Sequence, residues 1–245
     1  MTIADSQQDV RLDLRVVPYG DSAMLAQALG ANAEERWRSI HQLGDALKAP
    51  CPTGVYDLIA TFDSLLVEFD NSLTTHSQIE PFIRRAWVDL GVQEVKPDSR
   101  IFHIPVVFGD EYGPDLVDVA NELGLRPKDV VRLHCETDFV VRFFGAPLGA
   151  PQLDGSALPA PVTRCREPRT HVPPGSLSVA GLQACIYPVL TPGGWRIIGR
   201  TPLRVIDVDR RPMAAYAPGD VFRFYPITPD RWVHYDHVFL GEADD

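Results

Sequence analysis

The sequence predicts an α+β domain followed by a mainly-β domain that closes into a barrel. Over residues 12–90, apolar runs of period two and stretches of helical period follow one another in the order β-β-α-β-β-α. This order is typical of a compact α+β unit with its helices on one sheet face. Residues 145–230 hold 14 of the 22 prolines and 9 of the 18 glycines, between short β-prone runs. Strands interrupted this often indicate a barrel-like domain with functional loops.

The first domain is predicted to contain four strands and two helices, after a frayed tail over residues 1–11. The predicted strands are Leu12–Val17, Ser22–Leu29, Val55–Thr61 and Ser64–Phe69, and the predicted helices are Ala31–Leu47 and Thr74–Leu90. Both helices carry apolar residues at helical spacing, as Ile79, Ile83 and Trp87 show in the second. The first domain is therefore predicted to span residues 12–98.

A polar, proline-containing joint over Val95–Ser99 marks the predicted domain boundary. The second domain, residues 99–230, is predicted to begin with a strand, two short helices and another strand, at Ile101–Val107, 113–123, Arg126–Leu133 and Phe139–Phe144. Its later strands are predicted at Ser176–Val179, Ala184–Pro188, Trp195–Ile198, Leu203–Ile206 and Val221–Tyr225. Residues 231–245 are predicted to form a C-terminal extension.

The overall composition describes a globular protein with an acidic surface. The chain is 45% hydrophobic and 23% charged, and its formal net charge is −10. This charge argues against a general binder of nucleic acids or anionic membranes, because such proteins need basic surfaces. The polar N-terminus has no apolar segment of a secretory signal, and no run has the length of a membrane span. We therefore expect a cytoplasmic protein.

The charge is unevenly distributed along the chain. Residues 1–98 hold 8 basic and 15 acidic side chains, whereas residues 140–204 hold seven arginines against only Asp154 and Glu167. A GC-rich genome explains an overall excess of arginine over lysine but not this clustering. A basic segment in an acidic protein suggests a small anionic ligand.

Most familiar catalytic motifs are absent from the sequence. It contains no GxxxxGK[ST], GxGxxG, HExxH or GxSxG pattern, so ATP binding by a P-loop in this chain is not expected. The four cysteines form no CxxC pair and are not at zinc-ligand spacing, which indicates reduced thiols and no metal cluster.

Three neighbouring segments combine rigid turns with hydrogen-bond donors, at 168–176, 180–188 and 192–202. Arginine matches carboxylate or phosphate with a planar fork, and glycine-rich turns expose backbone N–H groups to anions. The sequence therefore suggests a pocket for a small carboxylate that contains Arg169 and Arg200. The alternative is that these arginines brace loop carbonyls and that Trp195 belongs to the core.

Other reactive side chains carry weaker signals. His171, close to Arg169, is a candidate general base, and the alternative, which the sequence favours, is a surface or packed histidine. Cys165 lies between two arginines but has no visible partner base, and Cys185 lies in an apolar run typical of inert core. His234 and His237 are three residues apart and form a weak metal signal in the tail.

The same segments resemble a known family. VPPGSLSVAGLQACIYPV at 172–189 and TPGGWRIIGRTPLRV at 191–205 are similar to the signature of the B subunit of bacterial 5-oxoprolinase. That family is also called the sporulation-kinase inhibitor family and, formerly, allophanate hydrolase subunit 1. YGDSAML near the N-terminus, SLLVEF, IPVVFGDEYGPDLVDVA and APGD at 217–220 also match, in the family's order.

The resemblance implies a fold, partners and an activity. It implies a ferredoxin-like α+β domain followed by a cyclophilin-like β-barrel. It also implies a heteromer with a C subunit of related fold and with an A subunit that uses ATP. Together they cleave 5-oxo-L-proline to L-glutamate, so this chain is expected to be inactive alone and to bind no cofactor itself.

The resemblance also implies site residues. The positions that keep the family pattern are Arg169, Gln183, Arg200 and Thr201. The two arginines are expected to bind a substrate carboxylate, and Gln183 and Thr201 its amide. The chain departs from the pattern at Ala146, Ala150 and Gln152, where the family has aromatic residues. If those aromatics line the pocket, this protein has a wider and less apolar one, and its substrate differs.

We therefore predict a component of an amidohydrolase that acts on a cyclic amide or a ureido carboxylate, as in an allophanate hydrolase subunit 1-like protein. The alternative from another class is a regulatory protein that inhibits a sensor histidine kinase without chemistry. A further alternative is a structural partner of the C subunit whose pocket has degraded.

Overall fold

The computed structural model describes residues 12–30, 32–49, 51–90 and 99–242. The chain divides into two compact units, Met1–Val95 and Lys96–Asp245. The predicted tail over residues 1–11 and most of the predicted joint lie outside the described residues. None of the described helices is long and apolar enough to span a membrane.

The first unit is a four-stranded antiparallel sheet with two helices, in the predicted order along the chain. Its elements are β1 (Asp13–Pro18), β2 (Ala23–Leu29), α1 (Ala33–Lys48), β3 (Val55–Ala60), β4 (Ser64–Phe69) and α2 (His76–Asp89). The strands lie in the order β1-β2-β4-β3, and each neighbouring pair is antiparallel. The predicted α+β unit is therefore present.

One face of this sheet carries the core of the first unit, because alternate residues of a strand point to the same side. On that face β2 buries Met24, and the two helices cover it with residues such as Ile40 and Ile83. Helix α1 begins after Asn32, whose Oδ1 accepts a hydrogen bond from the Glu35 N–H at 2.9 Å. This N-cap satisfies a backbone donor that would otherwise have no partner in the first turn.

The second unit is a closed seven-stranded barrel with two helices and a separate two-stranded ribbon. Its elements are β5 (Ile101–Phe108), α3 (Leu116–Glu122), α4 (Pro127–Cys135), β6 (Phe139–Gly145), β7 (Ala150–Asp154), β8 (Arg169–Val172), β9 (Ser176–Ala180), β10 (Gln183–Ile186), β11 (Thr191–Gly193), β12 (Arg196–Arg200) and β13 (Val221–Pro226). The barrel order is β10-β7-β6-β13-β5-β12-β9, and β9 pairs with β10 to close it. All neighbours are antiparallel except β5 and β13, which are parallel.

The expected strand at Leu203–Ile206 is not a strand in the structure. Arg204 makes an isolated bridge to Phe239, and Ile206 makes another to Ala214. The segment is largely buried, which explains its β-like apolar pattern. Its neighbours are a loop and the C-terminal segment rather than a barrel strand, so no ladder forms.

The barrel interior is filled by alternate residues of all seven strands. Helix α4 adds His134, which is buried against the rings of Phe108, Phe139 and Phe224, with the centroid of Phe139 at 4.5 Å. Neither imidazole nitrogen has a hydrogen-bond partner. Burial lowers the pKa of His134 to about 3, because the apolar surroundings disfavour the charged form.

The ribbon of β8 and β11 covers a small apolar cluster outside the barrel interior. Val172, Tyr187 and Ile197 are buried there, and Trp195 packs against them. Trp195 is therefore part of the packing, in keeping with the alternative that the sequence left open.

The C-terminal segment is packed onto the barrel over its described part. It forms two 3-10 turns, Pro229–His234 and Leu240–Glu242, and Leu240 belongs to the barrel core. Arg204 bridges Phe239, which ties the segment to the loop after β12. The described part of this segment is thus packed against the second unit.

Candidate functional site

A cleft of about 400 Å³ lies on the second unit, where proline- and glycine-rich turns meet the C-terminal segment. Each of the three donor-rich segments contributes to its lining, through Gly175, Pro188 and the pair Arg200–Thr201. Trp232 of the first 3-10 turn lines it as well. The sequence segments singled out above therefore converge on one concave surface.

A glycine turn shapes one wall of the cleft. The Gly175 N–H donates to the Tyr187 carbonyl at 2.7 Å, and the Thr201 N–H donates to the Gly175 carbonyl at 2.9 Å. Gly175 has φ +81°, and a Cβ there would collide with the Thr201 carbonyl oxygen. Only glycine suits a position with both a left-handed backbone and such a close approach.

Arg200 carries the positive charge of this wall. Its Nε donates to the Pro174 carbonyl at 2.8 Å, and its guanidinium lies over the Trp232 ring at 5.2 Å from the centroid. No described carboxylate is within ion-pair distance of Arg200. These contacts engage only the Nε and one face of the Arg200 guanidinium. Its two terminal nitrogens are therefore available to bind an anion.

Thr201 is buried beside Arg200. Its Oγ1 accepts a hydrogen bond from the Leu203 N–H at 3.2 Å, which leaves the hydroxyl hydrogen available as a donor. Arg200 and Thr201 are the two predicted site residues that the structure brings together in the cleft.

Arg169 lies elsewhere and has a bracing role. Its Nη2 contacts Oδ1 of buried Asp115 at 2.7 Å, and the other Asp115 oxygen accepts from the Ile197 N–H at 2.7 Å. Its Nη1 donates to Cys165 Sγ at 3.1 Å. The hydrogen bond to Asp115 raises the pKa of Arg169 above its ordinary value. Arg169 therefore contacts Asp115 and Cys165 and is not among the residues that line the cleft, and its substrate-binding role stays a prediction.

Gln183 and His171 do not line the cleft. Gln183 is half-buried on β10, where it pairs with Ala180 of β9. His171 is exposed on the β8 ribbon, and its Nδ1 is 2.9 Å from the Thr170 hydroxyl. Their substrate-binding and catalytic roles stay predictions.

The positions that lack the family's aromatic residues are also away from the cleft lining. Ala146 is exposed and Ala150 is buried, while Gln152 donates from Nε2 to Cys185 Sγ at 3.4 Å across β7 and β10. Burial raises the pKa of the Cys185 thiol to about 12, which keeps it protonated. Their loop reaches the cleft through Leu148 instead.

Other polar residues also line the cleft, and sequence reasoning missed Asp207 and Asp236 among them; it noted Arg204 only as one of the clustered arginines and His237 only as a weak metal signal. Asp207 is buried, accepts a hydrogen bond from Arg210 Nε at 3.1 Å and forms an ion pair with Arg204 Nη2 at 3.3 Å. The available signal was the closely spaced Trp, Asp and His residues of the C-terminal segment, which the sequence alone places in an extension.

Comparisons with known proteins identify the family. A family described as "Carboxyltransferase domain, subdomain C and D" matches residues 14–216. The chain is 31% identical to the 5-oxoprolinase B subunit of Bacillus subtilis, over 94% of this chain and 98% of that protein. It is 35% identical to the 5-oxoprolinase B subunit of Escherichia coli O157:H7, over 80% and 86% of the two chains.

A solved structure supports the fold. The urea amidolyase of Kluyveromyces lactis superposes with a TM-score of 0.77 at 19% identity, over 96% of this chain. The match spans only 16% of that much longer protein, so the likeness concerns the fold alone. The family match over residues 14–216 and the matches over most of the length of two bacterial proteins show the family. The chain belongs to the 5-oxoprolinase B-subunit family.

Proposed function

We propose that this chain is the B subunit of a heteromeric, ATP-dependent 5-oxoprolinase-type amidohydrolase, which cleaves 5-oxo-L-proline to L-glutamate. The single observation that carries the proposal is Arg200, a held cation with no described carboxylate partner in a cleft sized for a small molecule. The names of the bacterial relatives supply the reaction.

The cleft suggests how the substrate binds. Arg200 receives the carboxylate through its free guanidinium donors, since charge-assisted hydrogen bonds are among the strongest in proteins. Thr201 next to it donates its hydroxyl to the amide carbonyl. Arg169 is left out of this scheme because both of its outer nitrogens are already engaged, by Asp115 and by Cys165.

A partner similar to the C subunit closes the cleft in this scheme. Two exposed apolar residues, Leu148 and Val208, line the cleft, and Leu190 and Val233 next to its lining residues are exposed as well. Exposed apolar side chains around a polar site are typical of a surface that another protein covers. ATP is assigned to the A subunit, because this sequence has no P-loop motif.

The finer fold assignments belong to the same proposal. For the first unit we propose a ferredoxin-like arrangement. Its two helices lie on one face of an antiparallel sheet, and the strand order β1-β2-β4-β3 differs from the order along the chain, which supports the proposal. For the second we propose a cyclophilin-like barrel, supported by its closed seven-stranded sheet.

Glutamate release by the reconstituted complex of the A, B and C subunits, with ATP and 5-oxo-L-proline, tests the function. We expect Arg200→Ala to lower kcat/KM on the order of 100-fold while the partner still co-elutes, because a charge-assisted contact is lost. Arg223→Ala is the matched control, since Arg223 pairs with Asp138 outside the cleft lining. A second reaction with allophanate distinguishes a ureido substrate.

A complex that assembles but releases no glutamate contradicts the assignment. Equal kinetics of the wild type and Arg200→Ala contradict the binding mode only.

A further inference from the structure

The cleft contains one histidine, His237, which neither the sequence motifs nor the proposed binding mode uses. It follows Asp236 in a turn, and both residues line the cleft together with Arg200 and Thr201. The His237 Nε2 lies 3.7 Å from Asp236 Oδ2, a distance that makes an ion pair only when the imidazole is protonated, and the imidazole is otherwise exposed. A histidine with an adjacent carboxylate is the usual composition of a proton-transfer pair.

Contacts connect this pair to the proposed anion site. The guanidinium of Arg200 lies over the Trp232 ring, and the Trp232 indole N–H donates to Asp236 Oδ1 at 3.3 Å. The second oxygen of the same carboxylate faces His237. The Asp236 carboxylate therefore contacts both Trp232, over which Arg200 lies, and His237. This chain of contacts connects the Arg200 end of the cleft with its His237 end.

The backbone turn that carries the histidine is anchored on its C-terminal side. His237 has φ +63°, a left-handed conformation that is uncommon outside glycine. On its C-terminal side, the Arg204 N–H donates to the Val238 carbonyl at 2.8 Å, and the Leu240 N–H donates to the Arg204 carbonyl at 3.0 Å. The turn is thus anchored to a residue that itself lines the cleft.

The other titratable groups of the lining are less suited to proton transfer. Asp207 is buried and paired with Arg204 and Arg210, and Asp236 is engaged by Trp232. Asp209 is exposed on the loop after β12. A histidine side chain both accepts and returns protons near neutral pH, which a lactam hydrolysis requires.

We propose that His237 is the catalytic acid–base residue of the cleft and that Asp236 is its positioning residue. Because Nε2 faces Asp236, Nδ1 accepts a proton from water as the water oxygen bonds to the lactam carbonyl carbon. The imidazole returns this proton to the ring nitrogen as the carbon–nitrogen bond breaks. One water is consumed in this step, the ring opens, and His237 ends in its starting protonation state; the A subunit consumes a second water in converting ATP to ADP and phosphate, which drives the ring opening. The inference rests on the proposed function.

His237→Gln in the reconstituted complex tests the inference, with His234→Gln as the matched control. His234 is exposed in the same segment but is not among the cleft lining residues. We expect His237→Gln to lower kcat on the order of 100-fold with little change in KM, and to remove the acidic limb of the pH profile. His234→Gln is expected to match the wild type. Asp236→Asn is expected to shift that limb.

A second measurement uses the isolated chain. We expect 5-oxo-L-proline to move the imidazole NMR signal of His237 and not that of His234. A glutamate-forming complex whose His237→Gln variant retains wild-type kcat overturns the inference and leaves the proposed function intact. A wild-type complex without glutamate release overturns the proposed function, and an unmoved His237 signal then overturns the inference as well.

Discussion

The buried histidine of helix α4 makes the stability of the barrel depend on pH. His134 is enclosed by aromatic rings, its nitrogens have no partner, and burial holds its pKa at about 3 against an ordinary value of 6.5. In the unfolded chain the imidazole takes up a proton near pH 6.5, whereas in the folded chain it does so only near pH 3. The stability contribution is therefore fully present above pH 6.5 and is lost as the pH falls towards 3.

The two pKa values set the size of the effect. Lowering the pH from 7 to 5 stabilises the unfolded state relative to the folded state by about 2 kcal/mol through protonation of this one group. Replacing His134 by leucine removes the titration and also removes two unsatisfied buried nitrogens. We therefore expect the variant to be at least as stable as the wild type at pH 7, and relatively more stable at pH 5.

Urea unfolding at pH 5, 6 and 7, followed by circular dichroism, measures this difference for the wild type and for His134→Leu. His103→Gln is the control, because His103 is exposed on β5. We expect the free energies of unfolding of wild type and His134→Leu to diverge by about 2 kcal/mol between pH 7 and pH 5. If the gap between these two proteins is the same at all three pH values, His134 is not held neutral by burial and the reasoning is refuted.

Two other predictions concern the glycine turn of the cleft and the ion pair between Asp115 and Arg169. Gly175→Ala is expected to cost at least about 2 kcal/mol of stability, since the left-handed backbone and the collision with Thr201 add together. Gly124→Ala is the control, since Gly124 has φ +67° but nothing lies within 4 Å of the added Cβ, and it is expected to cost only about 1 kcal/mol. Equal decreases in melting temperature for the two variants would contradict the role of the close approach at Gly175. Asp115→Asn is expected to cost about 2–3 kcal/mol of stability, because the neutral amide no longer forms an ion pair with the Arg169 guanidinium. An unchanged melting temperature would show that this ion pair does not brace the loops.

The architecture was more predictable from sequence than the site. Regular hydrophobic patterns in the first unit predict its elements in the right order. A half-buried strand and an amphipathic helix each place apolar residues at a characteristic spacing in the sequence. The second unit is harder, because Leu203–Ile206 is apolar and buried without belonging to a strand ladder. Burial produces the same residue types in both cases.

The site residues show a different limit. Arg169 and Arg200 lie in similar Pro- and Gly-rich segments, yet one is paired with Asp115 and the other faces a cleft. The deciding partner is distant in sequence, since Asp115 precedes Arg169 by 54 positions. His237 gives only a weak signal for the same reason: the residues that line the cleft with it, Arg200 and Thr201, belong to β12 and the loop after it.

The parallel pairing of β5 with β13 has a consequence for the order of folding. These strands are the first and last of the second unit, and Asp220 also pairs with Arg100 at 2.6 Å across this seam. A ribosome must therefore synthesise almost the entire unit before its first strand acquires this neighbour. Contacts this distant in sequence slow folding and leave a strand edge exposed meanwhile. During synthesis, β5 is the strand most in need of protection from aggregation.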